Sequence, residues 1–140
     1  MPPLLAIAEG RKPRLRRARI PLPKESRLHA DVAKLLRDHL LPEWKARHIG
    51  AKSKDAREGA IMKWMGVIAG WPDFILVSPY GVVRFLELKR VGEDSSAEQK
   101  DFRLWCIKRG IPHVVAQTMD QVFAAFAQWD CTRLDLSKWL

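Results

Sequence analysis

Cysteine is scarce in this chain: two residues in 140, Cys106 and Cys131, with no CxxC pair and no nearby histidine partner. That excludes a disulfide framework and a cysteine zinc site, and it predicts two reduced thiols with a structural role. Long apolar runs are missing too. Nothing approaches the roughly 18 uncharged apolar residues of a membrane span, and the opening MPPLLAIAEG lacks the basic region and apolar length of a secretory signal. A cytoplasmic protein with no membrane partner is the expectation. There is no internal repeat, and a chain of 140 residues is long enough for one domain with one buried core but too short for two.

Acids are the scarcer charge. Asp and Glu number 16 against 25 Lys and Arg, a net charge of +9 with a pI near 10.0, which favours a polyanionic partner. Residues 10–24 hold seven of those bases (Arg11, Lys12, Arg14, Arg16, Arg17, Arg19, Lys24) and no acid, which leaves 18 bases against 16 acids elsewhere. Pro13, Pro21 and Pro23 interrupt this stretch. Residues 1–24 are therefore expected to form an extended basic arm suited to sequence-independent phosphate contact, with a solvated tail as the other reading.

From Glu25 the apolar residues Leu28, Val32, Leu35, Leu36 and Leu40 recur at helical steps until Pro42. A short strand within 44–49 and a helix marked by Ala56, Ala60, Ile61, Trp64 and Met65 follow, with Trp64 expected on its core face. Phe74 to Val77 and Val82 to Leu88 read as strands joined through Ser78-Pro79-Tyr80-Gly81, a hairpin signal. A helix from Ser96, stopped by Gly110 and with Trp105 on its core face, leads to a strand within 112–117 and a last helix through Val122, Phe123 and Phe126. The order predicts an α/β fold with a small mixed sheet flanked by helices, residues 25–140 forming one domain.

Three polar positions break the apolar hairpin: Asp73, Glu87 and Lys89. Acids are depleted in strands and costly to bury, so they call for a reason. Pro79 and Tyr80 suit the centre of a type I turn and Gly81 the left-handed residue after it, which pairs Ser78 with Val82. Asp73 then falls opposite Glu87 on the same face, with β-carbons about 5 Å apart, and Lys89 shares that face. Two such carboxylates repel unless a cation lies between them, and a hard ion such as Mg²⁺ or Mn²⁺ is the economical answer. The bland alternative is a strand-capping Asp beside an exposed Glu–Lys edge pair, and a one-residue slip in register would remove the geometry.

Taken together, Gly66-Val67, Gly70-Trp71-Pro72-Asp73 before a strand, Phe85-Leu86-Glu87-Leu88-Lys89 and Ser96-Ala97-Glu98-Gln99 opening a helix resemble the VRR-NUC branch of the PD-(D/E)XK nuclease superfamily over roughly residues 25–117. Trp71 stands where a smaller apolar residue is expected. The resemblance implies a restriction-endonuclease-like sheet and a metal-dependent DNA endonuclease. Its site residues would be Glu25, Asp73, Glu87, Lys89 and Gln99, with Glu25, Asp73, Glu87 and the Leu88 carbonyl as metal ligands. It further implies a homodimer acting on branched DNA in the manner of a four-way junction resolvase. A flap or nicking nuclease and a non-catalytic nucleic-acid-binding protein are the alternatives.

Glu25 also lies in phase with the buried stripe of its helix, although first-turn charge is a sufficient reason for an acid there. Lys52, Lys54 and Lys63 would extend the DNA surface of Arg14, Arg16, Arg17 and Arg19. His29, His39, His48 and His113 show no ligand spacing to one another and are expected at the surface or in packing roles, with His29, one turn after Glu25, the one nearest the site.

Overall fold

The computed structural model describes residues 24–50, 55–67 and 69–140. Helix α1 (Lys24–His39) leads to strand β1 (Lys45–His48), helix α2 (Ala56–Trp64), strands β2 (Phe74–Val77) and β3 (Val83–Leu88), helix α3 (Ala97–Lys108), strand β4 (His113–Ala116), helix α4 (Met119–Trp129) and a 3₁₀ turn at Ser137–Trp139. The four strands form one mixed sheet in the order β1-β2-β3-β4. Pairs β1–β2 and β2–β3 are antiparallel, and β3–β4 is parallel with α3 as the crossover that a parallel pair needs. The expected α/β class with helices around a mixed sheet is what the chain forms.

The hairpin turn sets the register. Gly81 adopts φ +77°, its amide donates to the Ser78 carbonyl at 2.9 Å, and the Ser78 amide donates to the Val82 carbonyl at 3.0 Å. Only a residue without a β-carbon takes that φ cheaply. Strand pairing then runs from Val77 with Val83 to Phe74 with Leu86, where the ladder ends with Asp73 in a bend just before β2.

Alternation along the strands divides the sheet into two faces. Phe74, Leu76, Leu86, Leu88 and Ala116 meet Val32, Leu35 and Leu36 of α1 and Val122, Phe123 and Phe126 of α4 in the main core. Here α1 and α4 present the apolar stripes that their periodicity predicts. The end of α1 is fixed by the C-terminal segment, whose Arg133 amide donates to the His39 carbonyl at 2.8 Å. Cys106 and Cys131 are free thiols, both buried. Burial raises both thiols, that of Cys131 to about 12.

The opposite face carries an aromatic cluster. Phe85 and Phe102 lie 5.2 Å apart, and Trp71 packs on both at 5.8 and 4.9 Å, which is why a bulky residue stands at position 71. Two expectations fail. Trp64 is 89% exposed and α2 has no buried residue, and Trp105 is 45% exposed. Neither helix is held between two layers: α3 covers the aromatic face only along one side, where Trp105 stacks against Phe102 and carries the Arg109 guanidinium over its ring. Among the described residues, no helix is long and apolar enough to cross a membrane.

Candidate metal and phosphodiester site

The polar residues of the hairpin gather at one end of the sheet, where β1 and β3 finish and β2 begins. Asp73, Glu87 and Lys89 are all buried, at 7%, 3% and 9% exposure. Each buried charge needs a partner to survive there, and each has one. Asp73 Oδ2 accepts the Leu88 amide at 2.7 Å, while the Asp73 carbonyl accepts the amides of Ile49 and Gly50 at 2.8 and 3.2 Å. Backbone from β3 and from the residues just after β1 therefore clamps this residue on both sides.

Glu87 is held from another direction. Gln99 Nε2, reaching in from the first turn of α3, donates to Glu87 Oε1 at 2.7 Å, and Gln99 Oε1 accepts the Ser96 amide at 2.9 Å. Ser96 Oγ in turn accepts the Gln99 amide at 3.2 Å, completing a capping box. The helix cap thus sets which end of the amide faces the carboxylate. Lys89 Nζ lies 3.8 Å from Glu87 Oε1 and 3.4 Å from Glu93 Oε1, so its ammonium sits between two acids.

Leu88 points its side chain into the core, while its amide reaches Asp73. In a strand the N–H and C=O of one residue point the same way. The Leu88 carbonyl is accordingly directed to the side of Asp73.

The structure brings Glu87, Lys89 and Gln99 together and sets Asp73 against the Leu88 backbone. Glu25 is the second residue of α1, but its side chain lies outside the described residues. Arg14, Arg16, Arg17, Arg19, Lys52 and Lys54 lie outside them as well. Lys63 is exposed near the end of α2 and lines a cleft of about 960 Å³ together with Trp71 and Glu98.

Linear spacing hid one group. Ligand atoms of His29, His48 and Asp73 lie within 4.8 Å of one another, which corrects the expectation that the histidines are unrelated. Among the described residues, this is the cluster of three or more potential ligands, and Glu87 is not in it. Pairing of β1 with β2 sets His48 opposite Phe74, and His29 approaches from α1. The register of that outer pair was the missing signal. Comparison with protein-family models, with curated proteins and with solved structures gives no match.

Proposed function

We propose that this protein is a metal-dependent endonuclease of the VRR-NUC type that hydrolyses phosphodiester bonds in branched DNA as a homodimer. One observation carries the reading: Asp73, just before β2, and Glu87, near the end of the neighbouring antiparallel β3, are both buried at the same end of the sheet, with Lys89 beside Glu87 and Gln99 bonded to it. Burying two acids and a lysine at one end of a sheet is expensive unless they serve a site.

The donor set suits a hard cation. Asp73 and Glu87 would hold Mg²⁺ or Mn²⁺ through carboxylate oxygens, with the Leu88 carbonyl and Glu25 as further oxygen donors. When bound, such an ion supplies Lewis-acid polarisation of a phosphate and a more acidic water. The remaining work falls to the chain. Gln99 fixes the Glu87 carboxylate by its 2.7 Å bond, and the Leu88 amide fixes Asp73. The Lys89 ammonium orients the attacking water or offsets charge that builds on the phosphate. Lys63 and the bases of residues 1–24 add phosphate contacts that position DNA without reading its sequence. The exposed Leu104, Trp105 and Ile107 of α3 offer an apolar face for a second copy, and a two-fold dimer would present two sites to the two symmetric strands of a junction.

A panel of linear, nicked, flapped and four-way DNA incubated with Mg²⁺ or Mn²⁺ tests the reading. Paired symmetric incisions in the four-way substrate, abolished by chelation, are expected. Single incisions at flaps or nicks would assign the flap or nicking alternative, and binding without cleavage would assign a non-catalytic DNA-binding protein.

A further inference from the structure

The cavity on the outer side of Asp73 holds a second donor set, which shares Asp73 with the carboxylate pair but adds two imidazoles to it. It measures about 520 Å³ and is lined by Ser26, His29, His48, Gly50, Asp73, Arg90 and Glu93. His29 Nε2 stands 3.8 Å from Asp73 Oδ1, beyond hydrogen-bond reach. The His29 and His48 rings meet edge to face, 5.9 Å apart at 71°. Ligand atoms on a tetrahedral ion with bond lengths of about 2.0–2.1 Å lie about 3.3 Å apart. The three atoms here lie within 4.8 Å of one another, about 1.5 Å or less beyond that spacing.

Two further features favour an ion. Asp73 divides its oxygens: Oδ2 is anchored by the Leu88 amide at 2.7 Å, which orients Oδ1 towards His29. Ligating carboxylates are commonly held in this way by a hydrogen bond to the other oxygen. Position 50 is glycine, and a β-carbon there would come within 2.8 Å of Asp73 Oδ1 and 3.1 Å of the Asp73 Cα. Any other residue would press on the oxygen that faces the histidines.

The geometry points to a transition-metal site formed by His29, His48 and Asp73. It takes a first-row divalent ion with affinity for imidazole, Zn²⁺ or Co²⁺, in preference to Mg²⁺ or Ca²⁺. Three protein donors leave at least one position open to the cavity, the pattern of sites that bind water or substrate rather than purely structural ones. Binding of the ion is independent of whether the protein cuts DNA, and it is measured with no DNA present.

Titration of the full chain with Zn²⁺, Co²⁺ and Mg²⁺, following the imidazole ¹⁵N resonances, tests the site. One equivalent of Zn²⁺ should shift His29 and His48 and leave His39 and His113 in place, and Zn²⁺ should bind at least tenfold more tightly than Mg²⁺. His48→Gln should weaken Zn²⁺ at least tenfold while the circular dichroism spectrum is retained. Gly50→Ala should weaken it in the same direction. The site is overturned if Zn²⁺ shifts all four histidines alike or none of them, or if a folded His48→Gln binds Zn²⁺ as tightly as the parent. Failure of cleavage with Zn²⁺ binding intact would overturn the nuclease reading and not this one.

Discussion

Replacing Gln99 separates the two tasks of one side chain. Its Oε1 accepts the Ser96 amide at 2.9 Å and its Nε2 donates to Glu87 Oε1 at 2.7 Å, so Gln99→Ala removes a helix-cap bond and a donor to a buried carboxylate together. The cap bond contributes about 0.5–1 kcal/mol. A hydrogen bond to a charged group contributes about 1.5–3 kcal/mol. Lys89 remains 3.8 Å from the same oxygen and offsets part of the loss. The expected cost is therefore about 2–3 kcal/mol, a drop of roughly 6–12 °C in Tm for a domain of this size.

Gln99→Glu keeps the cap acceptor but turns a carboxylate towards Glu87. At pH 7 it should be at least as destabilising as Gln99→Ala. Crowding of the two acids raises a carboxyl in the folded state above its unfolded value, so the folded state binds more protons and stability returns as pH falls from 7 towards 5. Urea unfolding of the parent and both variants at pH 7 and pH 5 measures this. A Gln99→Glu protein that matches the parent at pH 7, or that gains nothing over Gln99→Ala at pH 5, would refute the assignment of both tasks to this side chain.

Two other perturbations follow from burial and charge. Burial, with Arg103 nearby, holds His113 at about 4 against its ordinary 6.5. The unfolded chain then binds more protons than the folded one between those values, and stability falls as pH drops through that window. After discounting for partial exposure, the loss is about 2 kcal/mol. His113→Phe, which keeps a ring against Phe85 and Phe102, should flatten that acid limb in a urea series from pH 7 to pH 4, and an unaltered slope would contradict it. Deleting residues 1–23 should weaken DNA binding and reduce the salt slope by about 0.9 for each phosphate that is no longer neutralised, measured by fluorescence anisotropy, whereas an unchanged slope would show that these residues do not touch DNA.

How much of this was legible in the sequence depended on how local each cause was. The Ser78-Pro79-Tyr80-Gly81 turn fixes register through its own backbone, so the pairing from Val77 with Val83 to Phe74 with Leu86 could be worked out from the turn alone. The Ser96–Gln99 cap is equally local, although nothing in it announced that the outer end of Gln99 would meet Glu87. His48 was missed because β1 is four polar-leaning residues whose place in the sheet is set by β2, not by its own pattern. Trp64 and Trp105 misled because helical spacing tells which residues share a face but not whether a second layer covers that face. Trp71, unexpected for its size, completes an aromatic cluster assembled from β3 and α3.

Cleavage turns on the Glu87 carboxylate, and Glu87→Gln tests this with the least disturbance. The substitution preserves volume and leaves an amide oxygen to accept from Gln99 Nε2, so the fold should persist while the charge is removed. Cleavage of four-way junction DNA in Mn²⁺ should fall at least about 10²-fold, with junction binding in the same preparation unchanged or tighter because one anion has left the DNA face. A folded Glu87→Gln protein that cuts the junction at a rate within about threefold of the parent would contradict the account.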